Sequence, residues 1–294
     1  MRWRHEFAST IGALPYDAGL SYADALRNRE ITDPMRLHTL NATRYVTPLR
    51  EGGSLPAIVE ADDLGLYVLK FRGAGQGPNA LIAELVAGEI ARAATLLVPE
   101  LVLMELDPDL ARSEPDAEIQ ALIRASAGLN LALDYLPGST TFDPVVDPPS
   151  AELASTIVWL DAFVSNVDRT ARNPNMLMWH RRLWLIDHGA ALYFHHAGGD
   201  YRAKAREPFA RIADHVLLPW ASEIATVDAA MPARLDENVF RDIVASITDA
   251  WLTGDPSYST PDARRDAYVD YLTARMQAPR AFAEEAIRAH CARS

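Results

Sequence analysis

A two-lobed α+β fold, β-rich and small in its first part and mostly helical in its larger second part, is predicted by two regions of different periodicity and the break between them. Residues 43–136 carry short runs of β-branched and aromatic residues at strand spacing, whereas residues beyond 150 place apolar side chains at helical spacing. Between them Pro137, Gly138, Pro144, Pro148 and Pro149 interrupt both patterns. The expected organisation is an N-terminal extension over 1–42, a first lobe over 43–136 and a helical second lobe over 137–294. A chain of 294 residues, 49% of them hydrophobic, can bury a core of that size around a cleft.

In the first lobe, residues 44–47, 57–60 and 65–71 read as a meander of antiparallel strands, and 101–106 and 129–136 as two more. Pro78 starts one amphipathic helix over 79–97, with Leu81, Ile82, Leu85, Val86 and Ile90 on a common face. The polar stretch 107–127 has room for a short helix. Gly73, Gly75 and Gly77 form a flexible connection from the third strand to the first helix and line the cleft. In the second lobe, residues 152–166, 237–252 and 262–277 read as helices. Residues 176–179 and 183–186, joined by His180, Arg181 and Arg182, read as a β-hairpin.

Charge and cysteine usage exclude several classes of function. The net charge is −12, and no segment gathers the basic residues of a nucleic-acid or anionic-membrane tail, so no direct nucleic-acid partner is expected. Cys291 is the only cysteine, which excludes an internal disulfide and a cysteine zinc site and fits a reducing, cytoplasmic compartment. Residues 1–20 lack the apolar run of a signal peptide, and the most apolar later stretch is interrupted by Glu84, Glu89 and Arg92. Neither secretion nor a membrane partner is expected.

Arginine is the default cation of this chain: of 28 basic residues only Lys70 and Lys204 are lysines. A lysine kept at the end of an apolar strand therefore suggests a need for a compact point charge, the alternative being a side chain that merely snorkels from a strand end. Further on, Asp168 is followed five residues later by Asn173, and the hairpin returns to Asp187, His188 and Gly189. Asn173 then precedes the first strand of the hairpin and Asp187 ends the second, which sets two oxygen donors side by side as a hard cation requires. The bland alternative is that Asp168, Asn173 and Asp187 are turn formers. His195 and His196 lack a third ligand at metal spacing and read as part of a substrate-contacting segment with Arg202, Lys204 and Arg206, which otherwise form a solvated face.

The stretch from Phe163 to Gly189 resembles the catalytic and metal-binding loops of the HipA-like kinase family, relatives of the type II phosphatidylinositol kinases and, more distantly, of eukaryotic protein kinases. The resemblance covers about residues 43–195 and implies a protein-kinase-like fold that uses ATP and magnesium. It implies that Asp168 is the catalytic base or hydroxyl-orienting residue and that Asn173 and Asp187 are the magnesium ligands. Lys70 takes the place of the lysine that pairs the α- and β-phosphates, with Glu84 as its carboxylate partner and Glu89 as the fallback. Gly52, Gly53 and Ser54 match the phosphate-covering loop, Ser54 doubling as a candidate phosphosite, and backbone groups of Asp134 and Leu136 match the adenine-binding hinge. The implied acceptor is a serine or threonine of a protein. A small-molecule or lipid acceptor, an ATP-binding pseudokinase acting as an interaction module, and a toxin held by an antitoxin-like partner remain alternatives. Asn166-Val167 stands where protein kinases carry His-Arg, and His188 replaces the phenylalanine of Asp-Phe-Gly, so regulation by a eukaryotic-type activation loop is not expected.

Overall fold

Strand alternation in the first half buries Tyr67 and Leu69 on one face and turns Val68 and Lys70 to the other. The computed structural model describes residues 37–49, 55–196 and 201–293. Strands β1 (Thr39–Pro48), β2 (Ala57–Ala61), β3 (Leu66–Lys70), β4 (Leu101–Leu106) and β5 (Gly128–Asp134) close into a barrel of order β1-β2-β3-β5-β4. The first three form the expected antiparallel meander. Closure comes from Thr39, Leu40 and Asn41, which pair in parallel with Leu103, Met104 and Glu105. Residues 39–42 are thus barrel strand rather than extension, because the open edge of β4 needs a partner. Inside, Val59, Tyr67, Leu69, Val102, Met104 and Ala132 form one apolar cluster, which Ile119 and Ile123 of α2 (Ala117–Ala125) join.

Gly73 marks a close approach rather than flexibility, since a Cβ there would lie 2.9 Å from Ser126 Oγ and 3.1 Å from the Ala125 backbone. Gly77, at φ +65, precedes α1 (Pro78–Ala93), with Pro78 in its first turn. The helix is not amphipathic as expected: every residue from Leu81 to Ala91 is buried, including Glu84 and Glu89. Its second face is covered by the C-terminal helices α6 (Glu237–Ala245) and α7 (Asp249–Leu252). Arg264 of α8 (Pro261–Met276) donates to Asn79 Oδ1 at 2.5 Å, and Trp251 Nε1 donates to the Leu129 carbonyl at 3.0 Å. The single helix expected over 237–252 is two, because the Thr248 side chain accepts from the Ala250 N–H and caps a new start.

The second half is centred on α3 (Ala151–Phe163), capped by Ser150 and buried from Ala154 to Phe163. Trp159 and Phe163 stack at 5.2 Å, and Phe163 meets Phe240 at 5.8 Å and Phe282 of α9 (Ala281–Cys291) at 5.5 Å. The expected hairpin is present as β7 (Met176–Trp179) and β8 (Arg182–Leu185), extended by the short β6 (Thr140–Thr141). Two short helices, α4 (Tyr201–Ala205) and α5 (Ile224–Ala230), complete the α-helices among the described residues. None of the described helices is long and apolar enough to cross a membrane.

Candidate active site

Lys70 leaves the end of β3 on the barrel face that meets α1, so its ammonium reaches the hairpin 117 residues away. Its Nζ donates to Asp187 Oδ1 at 2.6 Å and lies 3.7 Å from Glu84 Oε2. Asp187 follows β8 at φ +57, a left-handed conformation that is uncommon for an aspartate and concentrates at functional turns. A Cβ at Gly189 would come to 3.5 Å from the Ala80 carbonyl and 3.6 Å from Glu84 Oε2, ordinary contact distances that place this loop against α1. Burial disfavours the Lys70 ammonium, but the carboxylates of Glu84 and Asp187 outweigh it and hold its pKa above the ordinary lysine value. Glu84 is raised by burial and lowered more strongly by Lys70 and His188, so it stays an anion. His188 is fully buried with Nδ1 3.5 Å from Glu84 Oε1, in place of the phenylalanine of Asp-Phe-Gly. Glu89, the fallback, lies instead 3.6 Å from Arg92 Nε, and burial raises its pKa.

The Asp168 loop leaves α3 and is held from below by a buried cluster. Asp161 near the end of α3 accepts from Arg169 Nε at 2.5 Å and His215 Nε2 at 2.8 Å on Oδ2, and from Asn166 Nδ2 at 3.0 Å on Oδ1. Because His215 Nδ1 accepts from the Leu217 N–H at 3.0 Å, the proton sits on Nε2 and the ring is neutral. Burial lowers the His215 pKa despite the adjacent Asp161. Asp161 is raised by burial but pulled well below the usual carboxylate range by Arg169 and His215. Arg169 Nη1 donates to the Asn175 carbonyl and approaches the Pro174 and Ile186 carbonyls at 3.5 Å each. The guanidinium next to Asp168 therefore reaches the residue before Asp187, tying the two loops together.

Asp168 itself accepts on Oδ2 from Asn173 Nδ2 at 2.8 Å and from Asn175 Nδ2 at 3.3 Å, while its N–H donates to Asn166 Oδ1 at 3.1 Å. The expected residues thus fall into two groups, Lys70 with Glu84 and Asp187, and Asp168 with Asn173. Sequence reasoning missed Asp161, Arg169, Asn175 and His215. Asn175 carried a local signal, since it lies two residues beyond Asn173 at the start of the hairpin. At the end of β5, where the hinge is expected, the Asp134 N–H donates to the Glu100 carbonyl at 2.9 Å and the Tyr135 N–H to the Leu66 carbonyl at 3.0 Å. Gly52, Gly53 and Ser54 lie outside the described residues, in the connection from β1 to β2 that the Leu49 N–H and Pro56 carbonyl close at 2.7 Å. Beyond Gly189, His195 Nδ1 meets the Tyr268 hydroxyl at 2.9 Å, Arg202 pairs with Asp270 at 2.6 Å, and Arg206 reaches Gln277 at 3.4 Å.

Residues 43–282 match the family model for HipA-like kinases. The chain belongs to that family. It is accordingly a kinase, with an α+β kinase-like fold. Among solved structures, this HipA-like kinase is similar to the proinflammatory kinase CtkA of Helicobacter pylori, at 14% identity over 88% of this chain and 98% of that one, with a TM-score of 0.49. It is also similar to the Golgi casein kinase with Mn/ADP bound, at 10% identity over 85% of this chain and 75% of that one, with a TM-score of 0.43. A second structure of the Golgi casein kinase gives 10% identity over 88% and 73%, with a TM-score of 0.46. No curated protein matches the sequence.

Proposed function

We propose that this HipA-like kinase transfers the γ-phosphoryl group of ATP to a serine or threonine hydroxyl of a protein, with magnesium, in a cleft between a barrel lobe and a helical lobe that divide near residue 137. The observation that carries the reading is the contact of Lys70 with Asp187 at 2.6 Å, because it brings the strand lysine and the hairpin carboxylate to one point from distant parts of the chain. The protein acceptor is inferred from the resemblance to the family.

The donor set fits magnesium. Asp187 offers a carboxylate, Asn173 an amide oxygen, and Asp187 Oδ1 already attracts a cation, the Lys70 ammonium. Among the described residues no group of three or more His, Cys, Asp or Glu side chains is arranged to hold a metal. That suits an ion bound through one carboxylate, an amide and the substrate's own phosphates. Magnesium bound there supplies charge neutralisation between the phosphates.

Every other part of the chemistry falls to the chain's own residues. Asp168 accepts the hydrogen bond of the acceptor hydroxyl and takes its proton as the hydroxyl oxygen forms its bond to the γ-phosphorus and the bond to the ADP oxygen breaks. Lys70 turns from Asp187 to the phosphates, and Glu84 keeps the ammonium on station. The Asp134 N–H is engaged by Glu100, which assigns the donor toward the adenine edge to the Leu136 N–H. The resemblance to the family assigns the cover of the phosphates to Gly52, Gly53 and Ser54.

The test is transfer from γ-labelled ATP with magnesium into the proteins of a cell lysate and, separately, into a metabolite panel, for wild type and Asp168→Ala. Label in protein that disappears in Asp168→Ala is the expected result. Label confined to small molecules would move the acceptor to that class. ATP binding without turnover under both conditions would contradict phosphoryl transfer and leave an interaction module.

A further inference from the structure

We propose that Asn175 is a positioning residue for Asp168, a second amide that fixes the carboxylate from a buried site. The inference rests on the reading of Asp168 as the residue that receives the acceptor proton. Both side-chain donors to Asp168 converge on one oxygen, Oδ2, from Asn173 at 2.8 Å and Asn175 at 3.3 Å. With Oδ2 so engaged, the carboxylate plane is set and Oδ1 is the oxygen turned to the acceptor.

The two asparagines differ in what else they do. Asn173 is exposed and sits in a turn in which its N–H and carbonyl both pair with Thr170, and its amide oxygen is the proposed magnesium donor. A metal ligand reorients as the ion comes and goes, so Asn173 alone is a poor fixed support. Asn175 is buried at 8% exposure, and its carbonyl accepts from both the Ile186 N–H, at 3.1 Å, and Arg169 Nη1. It is the point at which the Asp168 loop, the hairpin and the buried Arg169 cluster meet.

The backbone sharpens the inference. Asn175 stands at φ +48, where glycine is accommodated at least cost and asparagine is tolerated. The backbone alone therefore gives no reason to prefer asparagine over glycine, whereas the amide aimed at Asp168 does. An amide also suits the task chemically: it donates to the carboxylate without adding a cation that would hold the proton acceptor as an ion pair.

Asn175→Gly separates support of the backbone from support of Asp168, because glycine keeps the left-handed turn and removes the side chain that carries the amide. The expected result is a folded protein whose melting temperature falls by no more than about 5 °C, kcat lowered by roughly 10–100-fold, and KM for ATP and half-saturating magnesium each within about twofold of wild type. Asn173→Ala should instead raise the magnesium requirement. An Asn175→Gly kcat within about threefold of wild type would overturn the proposal. The contact is also read without turnover, and without a glycine variant, from the side-chain amide resonances of Asn175 in wild type and Asp168→Ala. They should shift when the carboxylate is removed; resonances that stay in place would overturn the proposal whether or not the wild type transfers phosphate.

Discussion

Asp161 and Glu84 are both fully buried carboxylates within the same site, and they are held in opposite ways. Both oxygens of Asp161 are hydrogen-bonded, to Asn166, Arg169 and His215 at 2.5–3.0 Å. Neither oxygen of Glu84 has a hydrogen bond, and its two polar neighbours stand off at 3.7 Å for Lys70 and 3.5 Å for His188. A buried polar atom without a hydrogen bond costs about 1–3 kcal/mol, and such a cost persists where function requires it. Asp161 is thus a finished scaffold, complete without substrate. Glu84 belongs to an arrangement left open: Lys70 is shared with Asp187, and phosphate binding is what should draw it away and let the Lys70–Glu84 pair close.

The largest effect expected from breaking this contrast is on the scaffold side. Arg169→Ala removes the cation from the buried Asp161 and should lower unfolding free energy by about 3–5 kcal/mol, read from denaturant midpoints. A loss below about 1 kcal/mol would show that Asp161 needs no compensating charge. On the open side, Lys70→Met should leave a folded protein with phosphoryl transfer reduced by about 10²–10³-fold, measured under saturating acceptor. A direct comparison of the two carboxylates is sharper still. Asp161→Asn should cost about 1–3 kcal/mol of stability, whereas Glu84→Gln, whose partners stand off at 3.5–3.7 Å, should cost less than Asp161→Asn while lowering turnover.

The smallest effect concerns acid. The folded pKa of His215 lies below its ordinary value of 6.5, chiefly through burial. Below that pH the unfolded imidazole binds a proton that the folded one resists, so stability is full above about 6.5 and falls as pH drops toward the folded pKa. Asp161, depressed from 3.8, adds a loss of the same sign at lower pH. Between pH 7 and 5.5 the melting temperature of wild type should therefore fall more than that of His215→Gln; parallel declines would remove His215 from the account.

The meeting of Lys70 with Asp187 and of Asp168 with Asn173 joins residues that the sequence singles out, because each stands at a fixed offset from an element with a clear pattern, the strand before α1 or the hairpin. The scaffold was not legible in this way. Asp161, Arg169 and His215 come from a helix, a loop and a segment up to 54 residues apart, and no periodicity joins them. Closure of the barrel by Thr39–Asn41 on β4 was hidden for the same reason, being a parallel pairing across more than 60 residues. The role of the C-terminal helices was equally hidden, since Arg264 and Asn79 are 185 residues apart, and their cover made α1 buried on every side where apolar spacing alone suggested one face. The break at Thr248 shows the limit of periodicity in another way: the apolar spacing runs through it, while the cap that starts the next helix is a single hydroxyl.

The central claim is that Asp187 is traded from Lys70 to a metal when nucleotide binds. Calorimetry of ADP binding with and without magnesium, for wild type and Asp187→Asn, tests it most directly. Magnesium should tighten ADP binding to wild type by about tenfold or more and leave binding to Asp187→Asn nearly unchanged. An equal gain from magnesium in both proteins would contradict the claim and place the metal elsewhere.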